Sequence, residues 1–293
     1  MNYEQFVVQV KDAVSKLLSP DMNLQIHSTL KNNGRKRIGI AISDKKVNIS
    51  PTIYLEEYYE RFVEGFPMEC IAKSVADVYH EVKFEHEWQV ETIKDFGLIK
   101  SKIVYKIIHA EKNEILLQTL PYVAYLDFAI VFYILFDITD RGTATIPITH
   151  ELLELWNTDL ANLYHIAAQN TKELLPAVCK PMREVIEELL GHPCEDDELG
   201  EPLMFVLSNP LRSFGAVCIL YEDVLANIGA QLGENFFILP SSIHEVILIP
   251  ESNAPTDYDF DEMITEINKT QVDIEDVLSD HVYYYDCLRE KII

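Results

Sequence analysis

The stretch Asn235-Phe-Phe-Ile-Leu-Pro-Ser-Ser-Ile-His-Glu-Val-Ile-Leu-Ile-Pro250 contains two short apolar runs separated by a polar step. Each run is rich in β-branched and aromatic residues, which predicts strands at Phe236–Leu239 and His244–Ile249. The step between them, Ser241 to Glu245, holds hydroxyl groups, an imidazole and a carboxylate. The stretch therefore predicts part of an antiparallel sheet and also supplies the first candidate site.

The residues around this stretch predict a C-terminal module. Met204–Leu207 and Ala216–Tyr221 are expected to form strands, and Glu222–Leu232 a helix. The resulting β-β-α-β-β order is typical of an antiparallel sheet with a helix on one face. Residues 251–286 hold eleven acidic residues and one base, Lys269. Their interspersed apolar residues predict a packed helix and turn, not a tail.

Two further modules are expected before it. The first has a helix at 3–18, a hairpin at 24–42 that turns at Asn33-Gly34, and amphipathic helices at 53–64 and 68–82. The second has a hairpin at 99–120, strands at 126–138 and 143–148, and helices at 149–155, 160–174 and 182–190. We therefore predict an α+β protein of two or three small modules, in which antiparallel hairpins or sheets pack with amphipathic helices. The expected modules are residues 1–96, 97–192 and 193–293.

Net charge restricts the classes of partner. The chain has 24 Lys and Arg residues against 48 Asp and Glu residues, a formal charge of −24. Such a field repels nucleic acid and anionic membranes, because it adds to the phosphate charge instead of releasing counterions. We expect no direct nucleic-acid binding and no membrane binding. The acidity then serves either solubility or the binding of a basic protein partner.

The N-terminus and the apolar runs predict a cytoplasmic protein. The first residues lack the basic and apolar regions of a signal peptide. The longest apolar run, Phe128–Phe136, is too short to span a bilayer. The five cysteines are widely scattered, without zinc-knuckle spacing or a C-x-x-C pair, so reduced thiols are the simplest expectation.

The polar step carries a candidate Ser–His–Glu set. A serine nucleophile needs an imidazole within hydrogen-bond reach and a carboxylate that orients it. On a strand, however, His244 and Glu245 point to opposite faces, and Ser242 and His244 stand about 7 Å apart along one face. No G-x-S-x-G elbow is present to supply an oxyanion hole. We favour a structural role or contact with a partner for Ser241, Ser242, His244 and Glu245 over catalysis.

Other cofactor patterns are weak. His80 and His86 lie six residues apart and so fall on well-separated faces of a helix. Asp257-x-Asp259-x-Asp261 resembles the start of a calcium loop but lacks its glycine and its final glutamate. No G-x-G-x-x-G or phosphate-binding loop occurs. We predict no cofactor and no metal, and retain the three aspartates as candidates for contact with a partner.

Three groups of residues resemble a family of uncharacterised proteins from Clostridia-type gut bacteria, a domain of unknown function. The first is Asp127-Phe-Ala-Ile-Val-Phe-Tyr133 with Trp156 and Ala167-Ala-Gln-Asn-Thr171. The second is Phe205-Val-Leu-Ser-Asn209 with Gly215-Ala216. The third is Phe237-Ile-Leu-Pro-Ser-Ser-Ile-His-Glu-Val246 with Leu278-Ser279-Asp280. The order of Trp156, Asn170 and Pro240 is also similar to a Bacillus-type cytoplasmic family of unknown activity. Neither resemblance implies a reaction or a catalytic residue.

These patterns favour a non-enzymatic, acidic, cytoplasmic protein that binds other proteins. One specific form is an inhibitor or immunity protein, encoded on a mobile element, that covers a basic nucleic-acid-binding partner. Two alternatives stay open, namely a hydrolase that uses Ser242 and His244 and a module that senses a small ligand in an apolar pocket. The oligomeric state is not predicted.

Overall fold

The computed structural model describes residues 1–43, 52–82, 90–139, 142–193, 204–254 and 260–293. Internal contacts divide the chain into two compact units, Met1–Leu98 and Ile99–Ile293. The described residues form helices and three antiparallel sheets, which confirms the predicted α+β class. In these parts of the chain, no helix combines the length and the apolar character needed to cross a bilayer.

The first unit packs helices α1 and α3 against a three-stranded sheet. Its elements are α1 Tyr3–Ser15, β1 Asn23–Leu30, β2 Lys36–Ser43, β3 Thr52–Tyr54, α2 Glu56–Val63, α3 Met68–Val82, α4 Val90–Lys94 and α5 Phe96–Ile99. Helix α1 begins at a capping box formed by Asn2 and Gln5. Its apolar face, with Phe6 and Val10 fully buried, packs with residues of β2 and α3. The sheet order is β1-β2-β3.

The second unit contains the other two sheets. Its elements are β4 Ile103–His109, α6 Glu114–Leu117, β5 Tyr122–Tyr125, β6 Phe128–Thr139, β7 Gly142–Pro147, α7 His150–Leu155, α8 Leu160–Leu174, β8 Val178–Pro181, α9 Met182–Leu190, β9 Phe205–Ser208, the 3-10 helix Gly215–Leu220, α10 Val224–Leu232, β10 Phe236–Leu239, β11 Val246–Pro250, α11 Phe260–Thr270, β12 Tyr283–Asp286 and β13 Lys291–Ile292. In the smaller sheet, the long strand β6 pairs with β4, β5 and β7. The larger sheet has the order β13-β12-β10-β11-β9-β8.

The opening stretch forms the centre of the larger sheet. Strands β10 and β11 pair antiparallel, with Phe236 opposite Pro250 and Leu239 opposite Ile247. Residues 240–245 connect them and hold the polar step. Strand β8 lies before residue 192 but pairs with β9, so this sheet crosses the expected boundary between the second and third modules. The division into three modules stays a prediction.

Two sequence expectations are wrong. Glu114–Leu117 is helical instead of the second arm of a hairpin, and β4 pairs with β6. Ala216–Tyr221 was expected to be a strand, but Gly215–Leu220 is a 3-10 helix. Its first five residues are buried, and it contacts both β4 and β9. A short apolar run that is buried on all sides carries no period that distinguishes a strand from a helix.

Asp127 joins the two sheets of the second unit. It lies in the turn between β5 and β6, and its carboxylate accepts hydrogen bonds from Ser279 Oγ at 2.6 Å and from the Tyr283 hydroxyl. The backbone of Ser279 is bound in turn to Pro240 O at 2.9 Å. One carboxylate therefore fixes the start of β6 relative to the segment that supports the polar step.

Replacing Asp127 by Ala should lower the free energy of unfolding by about 2–4 kcal/mol, because the buried Ser279 hydroxyl loses its charged acceptor. Urea unfolding measures this change. Asp127→Asn keeps an acceptor oxygen and should lose less. An Asp127→Ala protein as stable as the parent would contradict this role.

Candidate functional site

The polar step is paired along its backbone with residues 276–279. Ser241 O accepts a hydrogen bond from Leu278 N at 3.0 Å, and Ile243 N donates to Asp276 O at 2.8 Å. Ser242 forms an isolated antiparallel bridge with Val277. Ser241 and Ser242 are both buried. The step is therefore a short additional strand pair, and its two serines are not displayed on the surface.

His244 uses both ring nitrogens. Nδ1 accepts a hydrogen bond from Phe214 N at 3.2 Å, and Nε2 lies 3.1 Å from Asp276 Oδ1. Because an amide N–H can only donate, Nδ1 carries no proton, and the neutral ring holds its proton on Nε2 and donates it to Asp276. The ring also stacks on Phe214 at a centroid distance of 5.7 Å. His244 thus joins the loop before the 3-10 helix to the segment that follows α11.

The backbone of His244 is held by Ser208 at a point of close packing. Ser208 Oγ donates to His244 O at 2.8 Å. A Cβ atom on Gly215 would lie 2.2 Å from Ser208 Oγ and 2.5 Å from His244 O. Only glycine fits this approach without moving the backbone. The loop 209–214 that leads to Gly215 is closed by Asn209, whose side chain donates to Ser213 O and accepts from Leu211 N.

An aromatic stack extends from His244 toward the smaller sheet. Phe214 stacks on Tyr133 of β6 as well as on His244. Lys106 of β4 places its Nζ 4.0 Å from the centroid of Phe214 and 4.3 Å from that of Tyr133. Such cation–π contacts stabilise the rings in place. Burial also raises the pKa of the Tyr133 hydroxyl.

Two hollows adjoin the polar step. One is a cavity of about 390 Å³ between α9 and the face of strands β8, β9 and β11. The other is an open depression of about 370 Å³, with walls made by the polar step, Arg212 and residues 271–273 and 276. Arg212 and Glu245 line both hollows. The site is therefore one continuous region with an apolar part and an acidic part.

The cations of this region are already paired. Lys180 Nζ contacts Glu188 and lies 3.2 Å from Glu184, and Arg212 Nη2 donates to Glu188 Oε2 at 2.6 Å. The hydrogen bond from Lys180, with Arg212 also nearby, holds the pKa of Glu188 below its usual value. The same bond raises the pKa of Lys180. Glu188 therefore forms ion pairs with both cations, and Glu184 supplies a second negative charge beside Lys180.

Glu245 differs from its charged neighbours. Among the described residues, its carboxylate has neither an ion-pair partner nor a hydrogen-bond donor. The carboxylates of Asp273 and Asp276 line the same depression. The open part of the site consequently has a negative charge that internal contacts do not cancel.

The structure brings together four of the seven candidate residues, namely Ser241, Ser242, His244 and Glu245. Asp261 does not line either hollow: its Oδ1 accepts from Val282 N at 2.9 Å, and its Oδ2 lies 3.6 Å from His281 Nδ1. Asp257 and Asp259 lie outside the described residues. Within the described ranges, no group of three or more His, Cys, Asp or Glu residues is arranged to hold a metal ion.

Sequence reasoning missed Arg212, Asp273, Asp276 and the Lys180–Glu188 pair. Asp276 contacts His244 across 32 positions of the chain. A signal was nevertheless present, because the second and third stretches of the family resemblance, together with Leu278-Ser279, meet at this site. Stretches that share a resemblance but are distant along the chain are natural candidates for spatial neighbours.

Gly215→Ala should lower the free energy of unfolding by about 2–3 kcal/mol, because the added methyl group overpacks the contact between Ser208 and His244. Chemical denaturation measures this change in the free energy of unfolding. Gly233→Ala is the matched control: its φ is +74° but no atom lies within 4 Å of the added methyl group, so it should cost only about 1 kcal/mol. Equal losses in the two variants would contradict the steric account.

Comparison with known proteins gives a family but no established activity. No curated protein matches the chain, and no solved structure matches it. The model of DUF5688, a family of unknown function, matches residues 3–287, which include nearly all of both compact units and the whole of the site. The chain therefore belongs to the DUF5688 family.

Proposed function

We propose that the chain is a non-enzymatic, cytoplasmic protein-interaction protein whose acidic surface binds a basic protein. The observation that carries this proposal is the acidic depression lined by Glu245, Asp273 and Asp276. Arg212 does not offset these charges, because it is paired with Glu188. A Lys or Arg side chain from a partner would supply the missing positive charge.

The formal charge of −24 supports the same role at longer range. A strongly charged surface accelerates encounter with a partner of the opposite sign, and this steering weakens as salt screens it. Charge pairs at an interface also select against partners of the wrong sign. An acidic depression within an acidic chain therefore favours a basic protein over nucleic acid or an anionic membrane.

In its most specific form, the proposal is an inhibitor or immunity protein that covers the nucleic-acid-binding surface of its partner. Carboxylates of the depression would occupy positions that phosphates take in the partner's own complex. The resemblance to proteins of Clostridia-type and Bacillus-type bacteria fits a gene carried on a mobile element. A neighbouring gene for a basic nuclease or DNA-binding protein would support this form.

The geometry around Ser242 does not favour the hydrolase alternative. Ser242 Oγ accepts a hydrogen bond from His244 N at 3.0 Å, and both nitrogens of the His244 ring already have partners. A general base must have a free nitrogen within reach of the nucleophile's proton. The side chains of the polar step therefore support binding and structure more than nucleophilic catalysis.

The partner can be captured with the tagged chain from the native host, and the purified complex can then be measured by titration. We expect the dissociation constant to rise by about tenfold or more as salt increases from about 50 to about 500 mM. Asp273→Asn with Asp276→Asn should weaken binding by about tenfold at low salt and reduce the salt dependence. Both substitutions keep the carbonyl oxygens that accept Glu275 N and the His244 ring proton.

Glu151→Gln with Glu154→Gln is the control for net charge. It removes the same number of negative charges from exposed positions of α7 that do not line the depression. Affinity that does not depend on salt would contradict the electrostatic proposal. The proposal would also be wrong if the control pair weakened binding as much as the Asp273 and Asp276 pair.

A further inference from the structure

The cavity under α9 has a sheet wall whose side chains follow from strand register. Lys180 of β8 lies opposite Val206 of β9, which lies opposite Ile247 of β11. Val178 and Ser208 form the next row on the same face, because side chains two positions apart on a strand share a face. Glu245, which directly precedes β11, also lines the cavity. The first row thus places Lys180 beside Val206, and Glu245 lies beside Ser208.

Helix α9 forms the opposite wall of the cavity, which is mostly apolar apart from Glu188. Met182, Val185, Ile186 and Leu189 line it from the helix. Leu189 is 71% exposed and Ile186 is 40% exposed, so the helix leaves apolar surface uncovered at the mouth. A volume of about 390 Å³ is within the range of small-molecule sites, which are mostly apolar with a few polar groups that orient the ligand.

Most of the polar side chains that line the cavity already have ion-pair or hydrogen-bond partners within the protein. Lys180 and Arg212 are paired with Glu188. Ser208 Oγ donates to His244 O, and the side chain of Asn209 closes its own loop. Glu245 is the remaining polar side chain, and it has no partner among the described residues. The ligand that complements this cavity therefore carries a positive charge.

We propose that the cavity between α9 and strands β8, β9 and β11 binds an apolar organic cation, a primary amine on a hydrocarbon body, with its ammonium group at Glu245. The hydrocarbon body packs on Val206, Ile247 and the α9 side chains. An anionic ligand is disfavoured, because Glu245 and Glu188 would repel it and the charges of Lys180 and Arg212 are already paired. A neutral ligand would leave the partly exposed Glu245 carboxylate without a counter-charge.

Three probes of one shape test the proposal: 4-phenylbutylamine, 4-phenylbutan-1-ol and 4-phenylbutanoate. Isothermal titration of the full chain at neutral pH should show that the amine binds about tenfold more tightly than the alcohol, and that the carboxylate binds more weakly still. Glu245→Gln should reduce the amine to the affinity of the alcohol and leave the alcohol unchanged. Glu154→Gln, which removes an exposed charge outside the cavity, should change neither.

A second set of variants tests the location. Val206→Phe should fill the cavity and abolish binding of both the amine and the alcohol. Leu189→Gln, at an exposed position that tolerates a polar side chain, should weaken both probes to the same degree and so covers the case in which Val206→Phe does not fold. These titrations contain no protein partner, so their result does not depend on whether the acidic depression binds one.

Three results would overturn the proposal. One is equal affinity for the amine, the alcohol and the carboxylate. The second is amine binding that survives Glu245→Gln or that falls equally with Glu154→Gln, which would indicate attraction to the acidic chain as a whole. The third is no amine binding at millimolar concentration.

Discussion

The site depends on the hydrogen bond that Ser208 donates to the backbone oxygen of His244. This bond lies directly beside the Cα of Gly215, where a side chain does not fit. It joins the end of β9, the start of the 3-10 helix and the polar step at one point. The 3-10 helix then continues as buried chain between the two sheets of the second unit. A side chain at position 215 would separate these segments, because two backbone groups and a hydroxyl already fill the space. The unit therefore depends on a contact that has no tolerance for added volume.

This constraint also divides the roles of the polar residues. His244 is held between Phe214 N and Asp276, so its imidazole serves as a cross-link. Glu245, the next residue, directly precedes β11 and lines both hollows without a partner among the described residues. The serines are buried and pair through their backbone. The polar step, which resembled a nucleophile with its base in the sequence, is thus a structural cross-link. Its available side chain is the Glu245 carboxylate, which is suited to binding a positive charge.

Local patterns predicted much of the fold. Asn33-Gly34 predicted the first hairpin, since both residues adopt positive φ there. The strand predicted at 244–249 begins two residues later, at Val246, so His244 and Glu245 lie in the connection before β11. Sequence failed where tertiary contacts decide the outcome: the 3-10 helix is apolar on every side, and β8 is a four-residue strand that ends in proline. The residues around the polar step could not be predicted either, because Arg212 and Asp276 are distant from it along the chain and reach it only through the tertiary fold.

The tautomer of the His244 ring shows whether this residue joins the three segments as a cross-link. Long-range nitrogen–proton correlation spectra of the labelled chain at neutral pH report which ring nitrogen carries the proton. We expect a single tautomer, in which Nε2 carries the proton and donates it to Asp276. Nδ1 is then unprotonated and accepts a hydrogen bond from the Phe214 amide. A proton on Nδ1, or a ring that averages between both tautomers, would mean that the three segments are not clamped at His244.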